Sequence, residues 1–514
     1  MLLVSANSMA AIGVELSFGV RNVRFYNGFD GVRARIHSLD ANDGDIIEQI
    51  GQTEVIYNNQ NVQFSEKCSI NFRFEKIQRL KVTINSMNSS TNSAMGVYGD
   101  VQFDLAILMS NGGSIALPIP NTRSMLDIFA NVSEYYSQHL ELKFSGSYLH
   151  SPNNLPLAFY YILSLPAGNR NIMLHKSEII KDEKYPIWSS FRIPLFILNF
   201  YNESPIQIHV YNIVGNHPDE LVGHCATTLT QLQRGVGAFN SYMLKHSSGA
   251  RVHEKTYVEL KEIQLVPGPS FFEMLKNKTN LHVTEAIDLT ASNGNPVQEN
   301  SLHYIHPHRP SPYLKAILQV TPPLLAYMPN PSNPEIGALG FGANVSTGTS
   351  LQLSHCFFLN GSHTDHRVSG LVGLIDAYRN SSMSVQPFAP TDFSEVIYFV
   401  SKFAKAETIR KVGLYFVLVI FSDGGPAVKL AMRRTIDAVV DASFHPMSII
   451  AIGVGNDRDF TPMRNLENMA MKHSDGRPLA RQNYTFVEAT DLEESDVLSM
   501  IPLQMIQWKQ KFAS

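Results

Sequence analysis

The hydrophobic pattern of this chain changes character once, after Gly268, and the change sets the fold types that the chain must contain. Before it, short strand-like runs follow one another, separated by clusters of Asn, Gly and Ser such as residues 85–96. After it, apolar strand-like runs alternate with amphipathic helical ones. The sequence therefore predicts all-β structure followed by an α/β region.

The strand-rich part is long enough for two β-sandwiches. Its runs form two series of about 130 residues each, and a sandwich domain needs roughly 100. The boundary to the α/β part carries Pro267-Gly268-Pro269, which neither a central strand nor a helix interior tolerates. We predict three domains, at residues 8–127, 136–263 and 280–512, joined by exposed linkers that a protease would cut.

The α/β part contains a fully apolar run, Leu414–Phe421. A strand that is apolar on both faces must be covered on both, which is typical of a parallel sheet between two helical layers. Amphipathic helices are predicted at Val368–Arg379, Phe393–Lys405 and Ala427–Ser443. A helix at Tyr313–Tyr327 contains Pro322 and Pro323, which are expected to kink or end it. The predicted fold is two all-β sandwiches followed by a doubly wound α/β domain.

Composition excludes several classes of protein. Hydrophobic residues make up 44% of the 514 residues and charged residues 17%, which is globular rather than disordered. The net charge of −4 argues against a nucleic-acid binder that works by bulk positive charge. Three cysteines are too few for a disulfide framework and favour a reducing compartment. Without a signal-like N-terminus or an apolar run near the ~20 residues that a bilayer requires, we expect a cytoplasmic protein.

Three segments of the α/β part place oxygen donors where a strand ends or a helix begins. Asp288, Thr290 and Ser292 follow the first strand at alternate positions, Thr391 precedes a helix, and Asp423 follows the apolar strand. Ligands of open α/β sheets bind at the carboxyl ends of strands. Few charges with several hydroxyls suit Mg²⁺ or Mn²⁺ better than Zn²⁺. The alternative is that Thr290 and Ser292 cap the next helix and Asp423 starts a turn.

The same segments carry a family resemblance. Three loops look like those that form the metal-ion-dependent adhesion site of a von Willebrand factor A domain: DLTASNG, APTDFS and SDGG. The flanking sequence resembles the A-domain of the copines in AIDLTASNGNP, SLHYIHPHRPSPYLKAILQV, ALGFGA and MSIIAIGVGN. In the first half, residues 51–82 resemble the first copine C2 domain, and residues 188–198 with 220–232 resemble the second.

The resemblance covers nearly the whole chain and implies two C2 domains followed by a von Willebrand factor A-type copine domain. It implies Ca²⁺-dependent phospholipid binding, with signalling or trafficking proteins recruited through the A-domain. The five oxygen donors would hold Mg²⁺ or Mn²⁺, and a partner's acidic side chain would fill an open position of the metal. Thr391 is expected to ligate directly when a partner docks, and Asp423 directly or through water.

The calcium loops of both C2 domains depart from the family pattern. The positions where the resemblance places acids are held by Phe25, Asn27, Arg33, Leu155, Asn212 and Val214. The third loop of the first domain offers Asn85 and Ser86, Glu220 holds the last acidic position of the second domain's loop, and Asp30 and Asp219 are the only near misses. Because Ca²⁺ needs six to eight oxygens and a high local negative charge, Ca²⁺ binding by the C2 domains is doubtful. The alternative is a shifted site.

That shifted calcium site would use Asp40, Asp43 and Asp45. A zinc site of His355, Cys356, His363 and His366 has suitable residue types, but a plain strand and loop is favoured there. A second group of histidines, His303, His306 and His308, lies in a Pro-rich loop and is expected to be solvated.

These observations predict a peripheral membrane adaptor, cytoplasmic and associated with the plasma membrane. Its partners would be a phospholipid surface, bound weakly or without Ca²⁺, and intracellular proteins that offer an acidic side chain to the metal. No nucleic acid is expected as a partner. No activated nucleophile, oriented general base or nucleotide motif is present in the sequence, so an enzyme is not expected. The alternatives are a calcium-independent scaffold and a metal-dependent phosphotransfer or hydrolytic enzyme.

Overall fold

The computed structural model describes residues 11–512 except 26–27, 42, 152–154, 168–169, 202–203, 214–218, 246–255, 307, 347–349, 468–470 and 493–496. The order of elements is two β-sandwiches and then an α/β region, which confirms the prediction from the hydrophobic pattern.

The first sandwich consists of two antiparallel sheets. Its elements are β1 (Ile12–Arg21), β2 (Gly31–Leu39), β3 (Ile46–Gln52), β4 (Ile56–Tyr57), β5 (Val62–Gln63), β6 (Cys68–Phe72), β7 (Arg79–Asn88), β8 (Ser93–Asp104), α1 (Leu105–Ser110), β9 (Ser114–Pro118) and β10 (Met125–Val132). The sheet orders are β5-β1-β10-β9, with β6 also on β1, and β3-β2-β7-β8, with β4 also on β2. Leu16, Phe18 and Val32 alternate with more exposed residues and fill the space between the sheets.

The second sandwich repeats this construction. Its elements are β11 (Gln138–Ser147), β12 (Ala158–Ala167), β13 (Arg170–Lys176), β14 (Ile180–Lys181), β15 (Phe191–Pro194), α2 (Leu195–Phe200), β16 (Ile206–Asn212), β17 (Glu220–Thr227), α3 (Leu229–Leu232), β18 (Ser241–Met243) and β19 (Tyr257–Pro267). The sheet orders are β15-β11-β19-β18 and β13-β12-β16-β17, with β14 also on β12. Trp188 lies at the centre of the core, with its ring centroid 4.8 Å from that of Tyr161.

One strand of the second sandwich is shorter than predicted. The apolar run Phe191–Leu198 reads as a single strand in the sequence, but the strand ends at Pro194 and α2 begins at Leu195. Proline lacks the N–H that continues a strand ladder. The apolar residues beyond it, Ile197 and Leu198, still reach the core, now from a helix.

The α/β region is built around a mostly parallel sheet. Its elements are α4 (Phe271–Lys276), β20 (Asn280–Asp288), α5 (Pro312–Leu325), β21 (Glu335–Phe341), β22 (Ala343–Ser346), β23 (Leu351–Ser354), β24 (Phe357–Phe358), β25 (Arg367–Ser369), α6 (Gly370–Ser384), β26 (Gln386–Pro387), α7 (Ser394–Arg410), β27 (Leu414–Ser422), α8 (Lys429–Ala442), β28 (Met447–Gly453), α9 (Thr461–Asn465), β29 (Tyr484–Glu488) and α10 (Met500–Phe512). The main sheet has the order β24-β21-β20-β27-β28-β29, with antiparallel pairing only at the β21 edge.

Both faces of this sheet are covered, as the apolar strand predicts. In β27, Val417 and Val419 join the cluster that contains α5, α6 and α10. The alternate residues Phe416 and Leu418 join the cluster that contains α7 and α8. The domain is therefore doubly wound. Helix α5 continues through Pro322 and Pro323 and ends at Leu325, so the two prolines lie in its last turn, next to the end of the helix.

The predicted linker before the α/β domain contains a buried helix. Phe271, Met274 and Leu275 of α4 are buried, and Ser270 caps the helix in a reciprocal pair of hydrogen bonds with Glu273. Strands β10 and β19 also continue past the predicted domain ends at 127 and 263, to Val132 and Pro267.

The sandwiches and the α/β domain share apolar clusters. Phe74 of the first sandwich lies against Tyr327, with ring centroids 4.6 Å apart, and against Phe271 of α4 at 5.4 Å. Helix α10 reaches the second sandwich, where Gln507 Nε2 donates to the carbonyl of Met173 at 2.7 Å. None of the helices in the described part of the chain combines the length and apolarity that crossing a membrane requires.

Candidate metal centre

The candidate site lies at the carboxyl ends of two neighbouring parallel strands. Asp288 is the last residue of β20, Ser422 is the last residue of β27, and Asp423 follows directly after it. The two strands pair up to Ile287 and Phe421, one residue before these polar ends. Register alone therefore brings two carboxylates to one point of the sheet edge, as the sequence predicts.

Four of the five predicted donors form one chain of hydrogen bonds. The hydroxyl and the backbone N–H of Thr290 donate to Asp288 Oδ1, at 2.6 and 2.8 Å. The hydroxyls of Thr290 and Ser292 are 3.0 Å apart, and that of Ser292 donates to Asp423 Oδ1 at 3.0 Å. Ser422 closes the arrangement by donating its hydroxyl to Asp288 Oδ2. Sequence analysis missed Ser422, although its place beside Asp423 at a strand end is the signal that identified Asp423.

Thr391 is not part of this hydrogen-bonded chain. In the described part of the chain, its hydroxyl bonds to none of the other four donors, although the loop before it approaches the site through the 2.8 Å bond from Ala291 N to the carbonyl of Phe388. The neighbouring Asp392 accepts from the N–H of Ser394 at 2.9 Å and so serves the start of α7. The role of Thr391 as a ligand stays a prediction.

Buried side chains fix the loop that follows β20 and carries Thr290 and Ser292. Asn293 donates to the hydroxyl of Thr290 at 3.2 Å and accepts from the hydroxyl of Tyr313 at 2.7 Å. His303 donates from Nε2 to the carbonyl of Asp288 at 2.9 Å, so its Nδ1 accepts from the hydroxyl of Tyr378 at 2.9 Å.

The expectation that His303 is solvated is wrong. Its side chain is buried, and burial lowers its pKa to about 4, which keeps the ring neutral. Both ring nitrogens are satisfied by groups far away in sequence, which a local pattern of Pro and His cannot reveal. His306 and His308 lie near the surface in an irregular segment, as expected for a loop.

The site concentrates negative charge in a buried position. Burial and the adjacent charge of Asp423 raise the pKa of Asp288, and burial raises the pKa of Asp423. Within the described ranges, Asp423 Oδ2 is buried without a hydrogen-bond partner. The nearest cation is Arg458, whose Nη1 lies 3.4 Å from that oxygen and whose Nη2 donates to the carbonyl of Ser292 at 3.2 Å.

This donor set fits a hard divalent cation. Two carboxylates and two hydroxyls converge, and one carboxylate oxygen has no hydrogen bond, which matches the oxygen-rich sites of Mg²⁺ and Mn²⁺. The alternative interpretation of Thr290 as a helix cap is not borne out, because its side chain makes no capping bond to the short 3₁₀ turn that follows.

The other candidate metal clusters do not assemble. In the described ranges, no three His, Cys, Asp or Glu side chains come together as metal ligands, which includes the proposed zinc set His355, Cys356, His363 and His366. Asp40, Asp43 and Asp45 lie in one tight turn, where Asp43 and Asp45 donate backbone N–H groups to the carboxylates of Asp40 and Asp43. These acids stabilise their own turn and do not form the shifted calcium site.

The first sandwich brings its two predicted calcium loops together without a cluster of acids. Asp30 accepts from the N–H of Ser89 at 2.8 Å and from the Ser89 hydroxyl, and Asn88 donates to the carbonyl of Gly28 at 2.9 Å. Asn27 lies outside the described residues. One carboxylate already bound by a neighbouring loop is far from the oxygen count that Ca²⁺ needs.

The acids near the loops of the second sandwich already have partners. Asp219 accepts from the hydroxyl of Tyr160 at 2.8 Å and forms an ion pair with Lys472 of the α/β domain. Glu220 accepts from the hydroxyl of Ser151 at 2.7 Å and from Asn212. Val214 lies outside the described residues. Both oxygens of Asp219 therefore already have a partner.

Comparisons with known proteins agree with this architecture. Residues 301–513 match the copine model, and residues 146–244 match the C2 domain model. Protein BONZAI 2 of Arabidopsis thaliana is 26% identical over 534 residues, which cover 96% of this chain and 89% of the plant protein. The chain thus combines a C2 domain with a copine domain. Both matches are to the domain types that the sequence resemblance implies.

Two solved structures show weak similarity. BON1-C2B is 17% identical and covers 26% of this chain and 94% of its own, with a TM-score of 0.23. The paired C2 domains of Extended-Synaptotagmin 2 are 12% identical and cover 52% of this chain and 96% of theirs, with a TM-score of 0.21. At TM-scores this low, neither similarity bears on the fold or the function of this chain.

Proposed function

We propose that this protein is a peripheral membrane adaptor whose α/β domain captures an acidic side chain of a partner protein through a bound Mg²⁺ or Mn²⁺. Asp288, Ser292 and Asp423 would hold the ion, with Thr290 beside them and Thr391 joining when a partner docks. The observation that carries the proposal is the buried Asp423 Oδ2, which accepts no hydrogen bond from the residues that the structure describes and has Arg458 Nη1 3.4 Å away, while Oδ1 accepts from Ser292.

The ion would supply a hard positive charge that a partner's carboxylate can bind. The chain's own residues set how much positive charge the bound ion would present to a partner. Two carboxylates leave a dication able to attract a further carboxylate, and the hydroxyls of Thr290 and Ser292 add oxygens without charge. Asn293 and His303 hold the Asp288 loop in place before any metal arrives, so little ordering is required on binding.

Calorimetry with Mn²⁺ on the full chain tests this site. We expect wild-type protein to bind and the Asp288→Ala and Ser292→Ala variants to bind at least tenfold more weakly, about 1.4 kcal/mol. The control is Asp437→Ala, which removes a carboxylate of α8 that pairs with Arg433. Equal heats for wild type and both site variants would contradict the proposal.

We further propose that the protein binds rather than transforms its ligands and that it works on the cytoplasmic side of the plasma membrane. Membrane binding would be weak or independent of Ca²⁺, because Asp219 is paired with Lys472 and Asp30 with Ser89. Sedimentation with anionic vesicles should give the same bound fraction in Ca²⁺ and in EGTA. Release by EGTA alone, or turnover of a generic phosphoester in Mn²⁺, would contradict this part of the proposal.

A further inference from the structure

Helix α7 ends in exposed apolar side chains at the end of the α/β domain opposite the metal centre. Ile409, in the last turn of the helix, is 79% exposed, and Val412, in the turn that leads to β27, is 67% exposed. Single exposed apolar residues are ordinary on protein surfaces, but two large ones within four residues form a patch that calls for an explanation.

The length of the central strands separates this patch from the metal centre. Strand β27 begins at Leu414, just after Val412, and ends at Ser422 beside Asp423. Its 9 residues, at about 3.3 Å each, span roughly 30 Å. Strand β20 runs parallel to it, with Asn280 opposite Leu414, and so begins at the same end. The two ends of the sheet therefore present separate surfaces, one with oxygen donors and one with exposed apolar residues.

Cations accompany the exposed apolar side chains. Arg410 and Lys411 lie between the two apolar residues in sequence, and both are exposed. Lys278 is exposed in the turn that precedes β20, next to the turn that precedes β27. Within the part of the chain that the structure describes, none of these three cations forms an ion pair. Their positive charge is therefore available to a negatively charged surface.

Hydrogen bonds inside the domain fix the turn that carries these residues. Glu407 is buried, and its Oε1 accepts from the backbone N–H groups of Gly413 and Leu414 at 2.8 and 3.1 Å. The backbone N–H of Lys411 donates to the carbonyl of Glu407 at 2.8 Å. The carboxylate of this segment thus binds the backbone, while the cations face outward. A turn that is already fixed loses little conformational freedom when it binds a surface.

The same combination continues along one face of α7. Residues three or four positions apart share a helix face, which places Lys402, Phe403, Ala406, Ile409 and Arg410 in one row. Lys402 is exposed and Phe403 is 46% exposed. The row therefore alternates apolar and cationic side chains on the solvent side of the helix, and the patch is wider than the turn alone.

We propose that the end of α7 and the turn after it form a contact of the α/β domain with an anionic phospholipid bilayer. Ile409 and Val412 would insert at the boundary between headgroups and acyl chains, and Arg410, Lys411 and Lys278 would bind the charged headgroups. The inference rests on the membrane association proposed above and adds a contact outside both sandwiches. Bound in this way, the α/β domain would direct its metal centre away from the bilayer, towards partner proteins.

A bilayer fits this surface better than an acidic protein does. A stable protein interface covers about 800 Å² on each partner, whereas the exposed apolar side chains here come from one helix end and one turn. Insertion into a bilayer requires no complementary surface of that size, because acyl chains surround each side chain separately.

Sedimentation of the full chain with vesicles of phosphatidylcholine and phosphatidylserine, in EDTA and at low salt, tests the proposal. Ile409→Gln with Val412→Gln should weaken binding about tenfold, because the inserted apolar surface is lost. Arg410→Gln with Lys411→Gln should weaken binding to a similar extent and reduce its dependence on salt. All four side chains are exposed, so both double variants should melt as the wild type does.

Matched controls come from other surfaces of the same domain. Val428→Gln with Leu430→Gln changes two exposed apolar residues at the start of α8, the end of the domain that carries the metal centre. Arg433→Gln with Arg477→Gln removes two cations that pair with acids of α8. Both control pairs should bind vesicles as the wild type does.

Fluorescence quenching by brominated acyl chains measures insertion directly. Val412→Trp should be quenched in bound protein, whereas Leu430→Trp should show only the background of Trp188 and Trp508 in the wild type.

The outcomes separate this inference from the membrane association on which it rests. Wild-type protein that binds no vesicles would overturn both. Vesicle binding that the α7 pairs and the control pairs leave equally strong, or bound Val412→Trp without quenching, would overturn this inference alone. Weakening by the charge pair without quenching would likewise overturn insertion and assign the surface to an acidic protein.

Discussion

At the scale of single residues, Arg458 controls how much of the site's negative charge is available to a metal. Its guanidinium lies 3.4 Å from Asp423 Oδ2 and is tied to the carbonyl of Ser292. A dication that binds Asp423 must share the carboxylate with this cation or displace it. Local sequence could not reveal this, because Arg458 follows β28 and reaches the site from another loop.

We predict that Arg458→Gln strengthens Mn²⁺ binding by about three- to tenfold at low salt, because it removes a like charge from the site. Calorimetry on the full chain measures the change. Arg433→Gln, which removes a guanidinium that pairs with Asp437 on α8, is the matched control and should leave the affinity unchanged. An unchanged or weaker affinity in Arg458→Gln would show that Arg458 supports the metal instead of competing with it.

A second residue, Glu285, is expected to make the free energy of unfolding depend on pH. Its carboxyl is buried in β20 with one hydrogen bond, from the Thr321 hydroxyl, and burial raises its pKa from 4.5 to about 8. The folded state holds a proton that the unfolded state releases, so this group's contribution to stability is complete below pH 4.5 and is lost as pH rises through about 8.

Glu285→Gln should therefore flatten the fall in the free energy of unfolding between pH 5 and pH 8, as measured by urea denaturation. The exposed Glu134→Gln is the control and should keep the wild-type slope. If the free energy of unfolding falls equally steeply with pH in wild type and in Glu285→Gln, the Glu285 carboxyl is not the cause of that fall.

At the scale of elements, sequence patterns located the strand ends that build the metal centre. Asp288 ends one strand and Asp423 follows the apolar strand β27, and the ends of parallel strands meet at one edge of the sheet, so their proximity could be predicted. Thr391 could not be placed, because its position depends on how an irregular loop folds back. His303 was missed because its partner Tyr378 lies far away in sequence, whereas Ser422 carries the same strand-end signal as Asp423 and could have been identified.

Helix α10 joins the α/β domain to the second sandwich. Leu503 is buried and belongs to the apolar cluster of the second sandwich, whereas Met505 and Ile506 belong to the cluster beneath the sheet. We predict that Leu503→Ala lowers the free energy of unfolding by about 2–4 kcal/mol. Chemical denaturation checks this, with the exposed Leu430→Ala as control. A loss no larger than that of the control would show that α10 does not hold the sandwich.

At the scale of the whole molecule, the sequence predicted separable domains with an exposed linker, and the structure fills that linker with α4. Strands and helices follow from local periodicity, but burial of a short helix between domains depends on surfaces that local patterns do not describe. The same limit applies to the ion pair of Asp219 with Lys472, since it needs two domains.

Because α4 is buried, limited proteolysis should leave residues 268–280 uncut under native conditions, in contrast to the expectation from sequence. Ser270→Ala removes the capping pair with Glu273 and should cost about 1 kcal/mol of stability and speed cleavage there. Ser474→Ala, at a surface loop, is the control. Rapid cleavage of the wild-type protein within this segment would contradict the packing of α4.

The central claim is that two strand ends and one loop form a divalent-metal site, and the most direct measurement is the amount of Mn²⁺ bound per chain by electron paramagnetic resonance. Wild-type protein and Asp437→Asn should remove free Mn²⁺ signal equally, with about one tight site per chain. Asp423→Asn should abolish that tight site, because it takes away the carboxylate whose Oδ2 has no hydrogen bond. Tight binding that survives in Asp423→Asn, or no tight binding in the wild type, would contradict the account.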